Sequence, residues 1–193
     1  LQNFEKNPIV VCSLGDNSVT EGEVAEAFQF AALQQLPIIF LVQDNEWGIS
    51  VTKEEARTSD AYDYAAGFVG LNRMRIDGTD FVESFIQMQK AVHFVREERK
   101  PLLVCAKTVL IGHHTSGVRR EFYRDKADLA KHSAKDPGII LKKYLLEEGF
   151  SEETLSQIEI EARKQIEEDF NKAILAPDPK PETVKEHVYA PTP

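Results

Sequence analysis

Apolar residues along the chain fall into short continuous runs alternating with helical stripes. Ile9–Leu14 is a β-rich run closed by Gly15-Asp16-Asn17, a turn-forming triplet. Thr20 stands three residues before Glu23, the capping-box spacing that satisfies free amides at a helix start. Val24, Ala27, Phe28 and Ala31 then form one helical stripe, which Pro37 ends. Ile38-Ile39-Phe40-Leu41-Val42 reads as a strand covered on both faces. After a polar turn from Gln43 to Trp47, the pattern predicts a helix over Glu54–Phe68 and a short strand, Arg73–Ile76, broken by Asp77-Gly78. Phe81, Phe85, Met88, Val92 and Val95 mark a helix of about five turns, and Pro101 introduces a third strong strand, Leu102–Leu110.

Residues 111–126 lack apolar periodicity and read as a mobile surface loop rich in Gly, His and Arg. Two helices follow, Pro137–Glu148, with Gly149 in the C-cap position, and Glu152–Leu175, with Ser151 as its N-cap. Alternation of buried strands with helices implies an α/β fold, a parallel sheet with helices on both faces. The expected division is one α/β domain over residues 1–175 and a proline-rich tail or linker over 176–193. In such sheets ligands bind outside the carboxyl ends of the strands. That rule directs attention to residues 15–18, 43–49, 77–80 and 111–116.

Composition narrows the class. A chain of 193 residues with 42% hydrophobic and 28% charged residues can bury a core unaided. A net charge of −9 argues against nucleic acid as a partner, and the longest strongly apolar run is far too short to span a membrane. The two cysteines, Cys12 and Cys105, sit in apolar runs and read as small buried hydrophobes, so a reducing compartment is expected.

At the first strand end, Gly15 permits close approach of backbone to a ligand, and the following helix start offers amides to an anion. Asp16 is a hard oxygen ligand there, although a lone carboxylate serves equally well to brace a turn. The second strand end, Asp44-Asn45-Glu46-Trp47, offers a side-chain amide and a carbonyl of the kind that complete a Mg²⁺ shell. Taken singly it is a plain turn; two adjacent strand ends with oxygen ligands are more specific.

Gly15-Asp16-Asn17, Glu21-Gly22, Glu26-Ala27, Leu36-Pro37-Ile38-Ile39-Phe40 and Asp44-Asn45-Glu46-Trp47-Gly48-Ile49-Ser50 together resemble the thiamine-diphosphate fingerprint. More narrowly, the chain resembles the alpha subunit of the thiamine-dependent decarboxylase component of 2-oxo acid dehydrogenase complexes. The resemblance continues through Ile76-Asp77-Gly78-Thr79-Asp80, Lys100-Pro101-Leu102-Leu103, Gly112-His113-His114-Thr115, Tyr123-Arg124 and Asp136-Pro137. It implies oxidative decarboxylation of a 2-oxo acid and passage of the acyl group to lipoamide, with thiamine diphosphate and Mg²⁺ as cofactors. By the same resemblance Asp16, Asn45 and the Trp47 carbonyl hold the metal, and Gly15, Asn17 and Ser18 face the diphosphate. Gln43 occupies a phosphate-binding position, Ile49 lies near the bend of the cofactor, and His114 is the loop histidine that reaches the reacting centre. Arg124 is a candidate for the substrate carboxylate, and Thr115 and Ser116 for regulatory phosphorylation.

The chain departs from the pattern at Asn17, where a glycine is usual, at Gln43, where some members carry arginine, and at Val109-Leu110, which replaces a common Tyr-Arg pair. The family's activating glutamate comes from a beta subunit and has no counterpart here, so a beta subunit, separate or fused, and a lipoyl-bearing acyltransferase are the implied partners. The abrupt start at a core strand suggests one piece of a longer polypeptide, inactive alone, in the cytoplasm or, in a eukaryote, the mitochondrial matrix. Ile111-Gly112-His113-His114 leans slightly toward branched-chain relatives, but pyruvate and acetoin enzymes share most of this pattern, so the substrate is open. Two other readings compete: a subunit-contact module with a degenerate cofactor site, and a dinucleotide-binding oxidoreductase domain. The latter lacks Gly-x-Gly-x-x-Gly after the first strand.

Overall fold

A computed structural model describes residues 7–186 and 188. Four strands form one parallel sheet in the order β1-β2-β6-β5: β1 is Val10–Gly15, β2 Ile38–Asp44, β5 Asn72–Asp77 and β6 Leu102–Lys107. A separate two-stranded ribbon pairs β3, Trp47–Gly48, with β4, Val51–Thr52. The chain divides into two compact units, one ending at Tyr144 and the other beginning at Leu145.

Strand alternation sorts the central residues of the sheet to two sides. Phe40 and Val42 of β2, with Leu103 and Cys105 of β6, pack with Phe28 and Ala31 of helix α1 (Gly22–Gln34) and with Ala61 and Ala65. Their neighbours Ile39, Leu102, Val104 and Ala106 pack with Ala91 and Val95 of helix α4 (Phe81–Glu98). The two inner strands, β2 and β6, are therefore near-continuous hydrophobic runs, as a sheet covered on both faces requires. The expected α/β class is the observed one. Both cysteines are free, Cys105 fully buried and Cys12 half-buried; burial, with Asp44 close by, pushes the Cys105 thiol up to about 11, which leaves it protonated.

Local chemistry moves several element boundaries. Helix α1 starts at Gly22 with Glu21 as an uncapped N-cap, because Thr20 closes a preceding 3-10 turn and its hydroxyl donates to the carbonyl of Asn17. A capping box forms instead at Thr52 and Glu55, opening the short helix α2, Lys53–Ala56. The predicted helix over Glu54–Phe68 is broken: α2 is followed by extended residues at Arg57 and Asp60, then by α3, Ala61–Tyr64. Asp60 ends the break by accepting from the amide of Asp63 at 3.0 Å. Strand β6 stops at Lys107, and the Thr108 amide makes the last ladder bond, to the carbonyl of Asp44. The segment read as loop to residue 126 contains a 3-10 turn at Arg120–Phe122 and leads into helix α5, Lys126–Ser133, capped by Asp125.

Helix α6 spans Pro137–Glu147, and α7 spans Glu152–Leu175 with Ser151 accepting from the amide of Thr154 at 3.1 Å. In the second unit α7 buries Leu155 and exposes Ile158, Ile166, Phe170 and Ile174. Within the proline-rich tail Pro181–Lys185 forms a 3-10 turn, and residues 187 and 189–193 lie outside the described residues. Among the described residues no helix is long and apolar enough to cross a membrane.

Candidate functional site

Parallel register builds the site. Gly15 at the end of β1 lies opposite Gln43, so the next residue, Asp16, comes to lie beside Asp44 at the end of β2. In the neighbouring ladders Asp44 and Asp77 both lie opposite Lys107. Asp16, Asp44, Lys107 and Asp77 thus stand at the carboxyl ends of the four neighbouring strands, the position where such sheets bind ligands.

Asp16 is 2% exposed and Asp44 fully buried. The amide of Asn17 donates to Asp16 Oδ1 and the amide of Glu46 to Asp16 Oδ2, each at 3.1 Å. The second of these bonds carries the β2 turn onto the β1 turn. Asn45 Oδ1 accepts from the amide of Trp47 at 2.9 Å, which fixes the turn, and Glu46 takes a left-handed φ of +69°. A Cβ on Gly48 would stand 1.8 Å from Asn17 Nδ2 and 2.6 Å from its Cγ, so a side chain there would displace that of Asn17. The Asn17 amide lies directly on the bare backbone of the second turn.

The cradle also contains a residue with no place in the sequence reading. Arg57 Nη2 donates to Asp16 Oδ2 and to Asp44 Oδ1, both at 2.8 Å, and its Nη1 donates to Asn17 Oδ1 at 2.9 Å. Its side chain is only 6% exposed. Arg57 was hidden inside a segment whose pattern predicted helix; its i+3 neighbour Asp60, a capping residue, was the available sign of a break. Burial and the proximity of Asp44 push the Asp16 carboxyl up, with the Arg57 guanidinium working against both. Lys107 Nζ holds the other oxygen of Asp44 and reaches Asp60 at 3.2 Å. Asp44, Asp60 and Cys105 present ligand atoms within 4.8 Å of one another, but this set is already neutralised by that ammonium.

Glu46 anchors a second network. It pairs with Lys53 at 2.7 Å and with Lys131 at 2.5 Å. Burial opposes its ionisation, but hydrogen bonds from the two ammonium groups prevail and bring its carboxyl down to about 2. A carboxylate whose folded pKa lies below its ordinary 4.5 contributes stability that is present above that value and lost as pH falls toward about 2. Glu46→Gln is therefore expected to flatten the fall in urea-unfolding free energy between pH 5 and pH 2; an unchanged slope would show that the pairs contribute nothing.

Beyond Glu46, Trp47 Nε1 donates to Asp128 Oδ1 at 3.4 Å, Arg124 Nε donates to Asp128 Oδ2 at 2.6 Å, and the Arg124 guanidinium lies 5.3 Å from the Trp47 ring centre. Arg124 Nη1 donates to the carbonyl of Leu110 at 2.7 Å, and the amide of Leu110 donates to Nδ1 of the buried His132 at 3.0 Å. Arg124, Asp128 and His132 thus clamp the start of the histidine loop to the Trp47 turn. Arg124 is buried, with Nε and Nη1 held by these bonds. Arg119 and Arg120 pair with Glu121. Tyr123 Oη, Arg124 Nη2 and His132 Nε2 are buried without a hydrogen-bond partner among the described residues.

The structure brings Asp16, Asn17, Asn45 and Trp47 together in one cradle. Gly15, Ser18, Gln43 and Ile49 sit on its exposed edge, Ile49 with a left-handed φ of +51°. His114 is exposed on the loop after β6, while its neighbour His113 accepts from the amide of Arg120 at 3.2 Å. The described contacts do not bring His114 to the cradle. The donor set fits a small hard cation: a buried carboxylate, a side-chain amide and a backbone carbonyl, all oxygen.

A parallel α/β sheet with an oxygen-lined cradle across two neighbouring strand ends defines a ligand-binding class, and comparison with known proteins narrows it. The family pattern described as dehydrogenase E1 component matches residues 2–182, and the chain belongs to this family. It is 31% identical to the 3-methyl-2-oxobutanoate dehydrogenase subunit alpha of Mycobacterium tuberculosis over 98% of the chain and 52% of that protein. It is also 31% identical to the pyruvate dehydrogenase E1 component subunit alpha of Rickettsia bellii (95% of the chain, 56% of that protein). Identity to the human mitochondrial 2-oxoisovalerate dehydrogenase subunit alpha is 29% (95% and 42%). The chain spans about half the length of these relatives. Among solved structures, a transketolase from Campylobacter jejuni aligns with 51% of the chain and 15% of its own, at 25% identity and a TM-score of 0.45.

Proposed function

We propose that this chain forms the metal-diphosphate half of a thiamine diphosphate site in the alpha subunit of a 2-oxo acid dehydrogenase. The observation that carries the reading is the buried Asp16 carboxylate tied to the Glu46 amide, which joins the two fingerprint turns into one oxygen-lined cradle. Asp16, Asn45 and the Trp47 carbonyl would hold Mg²⁺. Gly15, Asn17 and Ser18 would receive the diphosphate, with the start of α1 adding partial positive charge. Gln43 and Ile49, on the exposed edge, would border the bound cofactor. When bound, thiamine diphosphate supplies the nucleophile and electron sink that decarboxylation of a 2-oxo acid requires.

The chain's own residues orient and enclose. The Arg124–Asp128–His132 clamp fixes Leu110, so the loop bearing His113 and His114 leaves β6 from a set point. His114, exposed on that loop, would exchange protons at the reacting centre once the loop closes over substrate. Thr115 or Ser116, a few residues from it, would be the site at which phosphorylation repels an anionic substrate. A beta subunit, separate or fused, would supply the activating glutamate, and a lipoyl-bearing acyltransferase would take the acyl group, in the cytoplasm or a mitochondrial matrix.

Oxidation of pyruvate and of branched-chain 2-oxo acids by the full-length protein with its beta subunit, followed with an artificial electron acceptor, tests the reading. Turnover dependent on added thiamine diphosphate and Mg²⁺ is expected with one of these acids and none from residues 1–193 alone. Absence of turnover on every acid would overturn it.

A further inference from the structure

Two buried carboxylates from different strands share one guanidinium in the cradle. Asp16 and Asp44 stand at adjacent strand ends, and a single nitrogen of Arg57 lies 2.8 Å from each. Buried carboxylates brought this close repel one another and call for a shared counter-charge. Arg57 reaches them because α2 is pinned at its start by the Thr52–Glu55 capping box and to the β2 turn by the Lys53 amide on the Glu46 carbonyl at 3.0 Å. Arg57 then turns extended, with φ −155° and ψ 153°, and its side chain enters the site.

The acceptors of the three groups it touches divide unequally. Asp16 Oδ2 receives both Arg57 Nη2 and the Glu46 amide, which fills that oxygen. Asp16 Oδ1 receives only the neighbouring Asn17 amide among the described hydrogen bonds, and a carboxylate oxygen has room for two partners. Asp44 Oδ1 receives Arg57 Nη2, and its Oδ2 receives Lys107 Nζ with the Cys105 thiol at 3.9 Å. The third contact, Nη1 on Asn17 Oδ1 at 2.9 Å, holds the Asn17 amide with its NH₂ against Gly48.

We infer that Arg57 is the positioning residue of the metal-diphosphate cradle: its guanidinium holds the Asp16 carboxylate turned so that Oδ1 is offered to the cation, and it fixes the Asn17 side chain beside it. This rests on the reading of the cradle as a metal site. Asp44, held between Arg57 and Lys107, then acts as the anchor for Arg57. Arg57 stays in place when the cation binds, because the oxygen it occupies is not the one the cation uses. A guanidinium suits the role because it serves three acceptors in one plane, which an ammonium cannot. Outer partners of metal ligands typically contribute about 10–100-fold in metal affinity.

The test is Mn²⁺ binding to the full-length protein in its natural assembly, read from the electron paramagnetic resonance of free Mn²⁺ without turnover. Arg57→Ala is expected to weaken Mn²⁺ binding by about 10–100-fold. Its side chain borders a small open cavity shared with Lys53, Thr58 and Asp60, so millimolar guanidinium is expected to enter and restore affinity, with urea as the inactive control. Arg57→Lys is expected to bind with intermediate affinity, and it carries the test should the alanine variant not fold. Affinity in Arg57→Ala equal to or tighter than wild type would overturn the inference, making Arg57 a bystander or a rival cation. So would wild-type affinity in Arg57→Lys, or a loss in Arg57→Ala that guanidinium does not restore. Failure of the wild-type assembly to bind Mn²⁺ would overturn the reading of the cradle and this inference with it.

Discussion

Asp16→Ala is expected to remove metal-dependent binding of thiamine diphosphate, in a calorimetric titration of the full-length assembly with the cofactor and Mg²⁺. The substitution deletes the charged oxygen donor of the proposed set, so its cost should exceed the roughly 10–100-fold typical of outer partners. It also takes one of the two carboxylate partners from Arg57 Nη2 and leaves the Glu46 amide without its acceptor, and thereby loosens the bond between the two turns. Asp16→Asn keeps the shape and an acceptor but not the charge, and should retain part of the affinity. Unaltered binding in Asp16→Ala would place the metal elsewhere. Folding of both variants is checked by urea unfolding, because a buried guanidinium beside only one remaining carboxylate is itself costly.

The second large effect is on stability. Phe28 on α1 is fully buried, with its ring 4.8 Å from that of Phe40 and 5.4 Å from that of Phe68, both edge-on. It joins α1 to β2 and to the segment after α3, and so supports both turns of the cradle from below. Phe28→Ala should cost about 3–5 kcal/mol through lost transfer energy and the cavity left behind. For a domain of this size that corresponds to a fall in thermal midpoint of roughly 10 °C. A cost below about 1 kcal/mol would mean that the surrounding core collapses to fill the space, and that α1 is not held by this contact.

What the sequence conveyed, and what it did not, follows from the range of the forces involved. Ile38–Val42 and Leu102–Ala106 are runs that only a doubly covered strand keeps, and the structure places them at the centre of the sheet. The two fingerprint turns were legible because their chemistry lies within a few residues of each strand end. The break after Ala56 was not, since apolar positions on both sides of it keep a helical appearance and the cause is tertiary: Arg57 is drawn to Asp16 and Asp44, which lie 41 and 13 residues away. The same holds for α5, where Asp128 and His132 form a polar face with Arg124, which precedes the helix, and both Arg124 and His132 are buried. A periodicity argument assigns such a face to solvent, whereas here it holds the Leu110 backbone. The expected capping box at Thr20 matched the spacing but not the fold, because the 3-10 turn at Ser18–Thr20 had already taken the Thr20 hydroxyl.

The central claim is that the metal lies between the two turns, on Asp16, Asn45 and the Trp47 carbonyl. Crystals of the full-length assembly grown with thiamine diphosphate and Mn²⁺, with diffraction recorded at the manganese edge, test it most directly. The account predicts a single anomalous peak bonded to Asp16 Oδ1, with the cofactor's diphosphate beside Asn17 and Ser18 and Arg57 still on Asp16 Oδ2. A peak among Asp44, Asp60 and Cys105, or cofactor bound with no peak at Asp16, would contradict it.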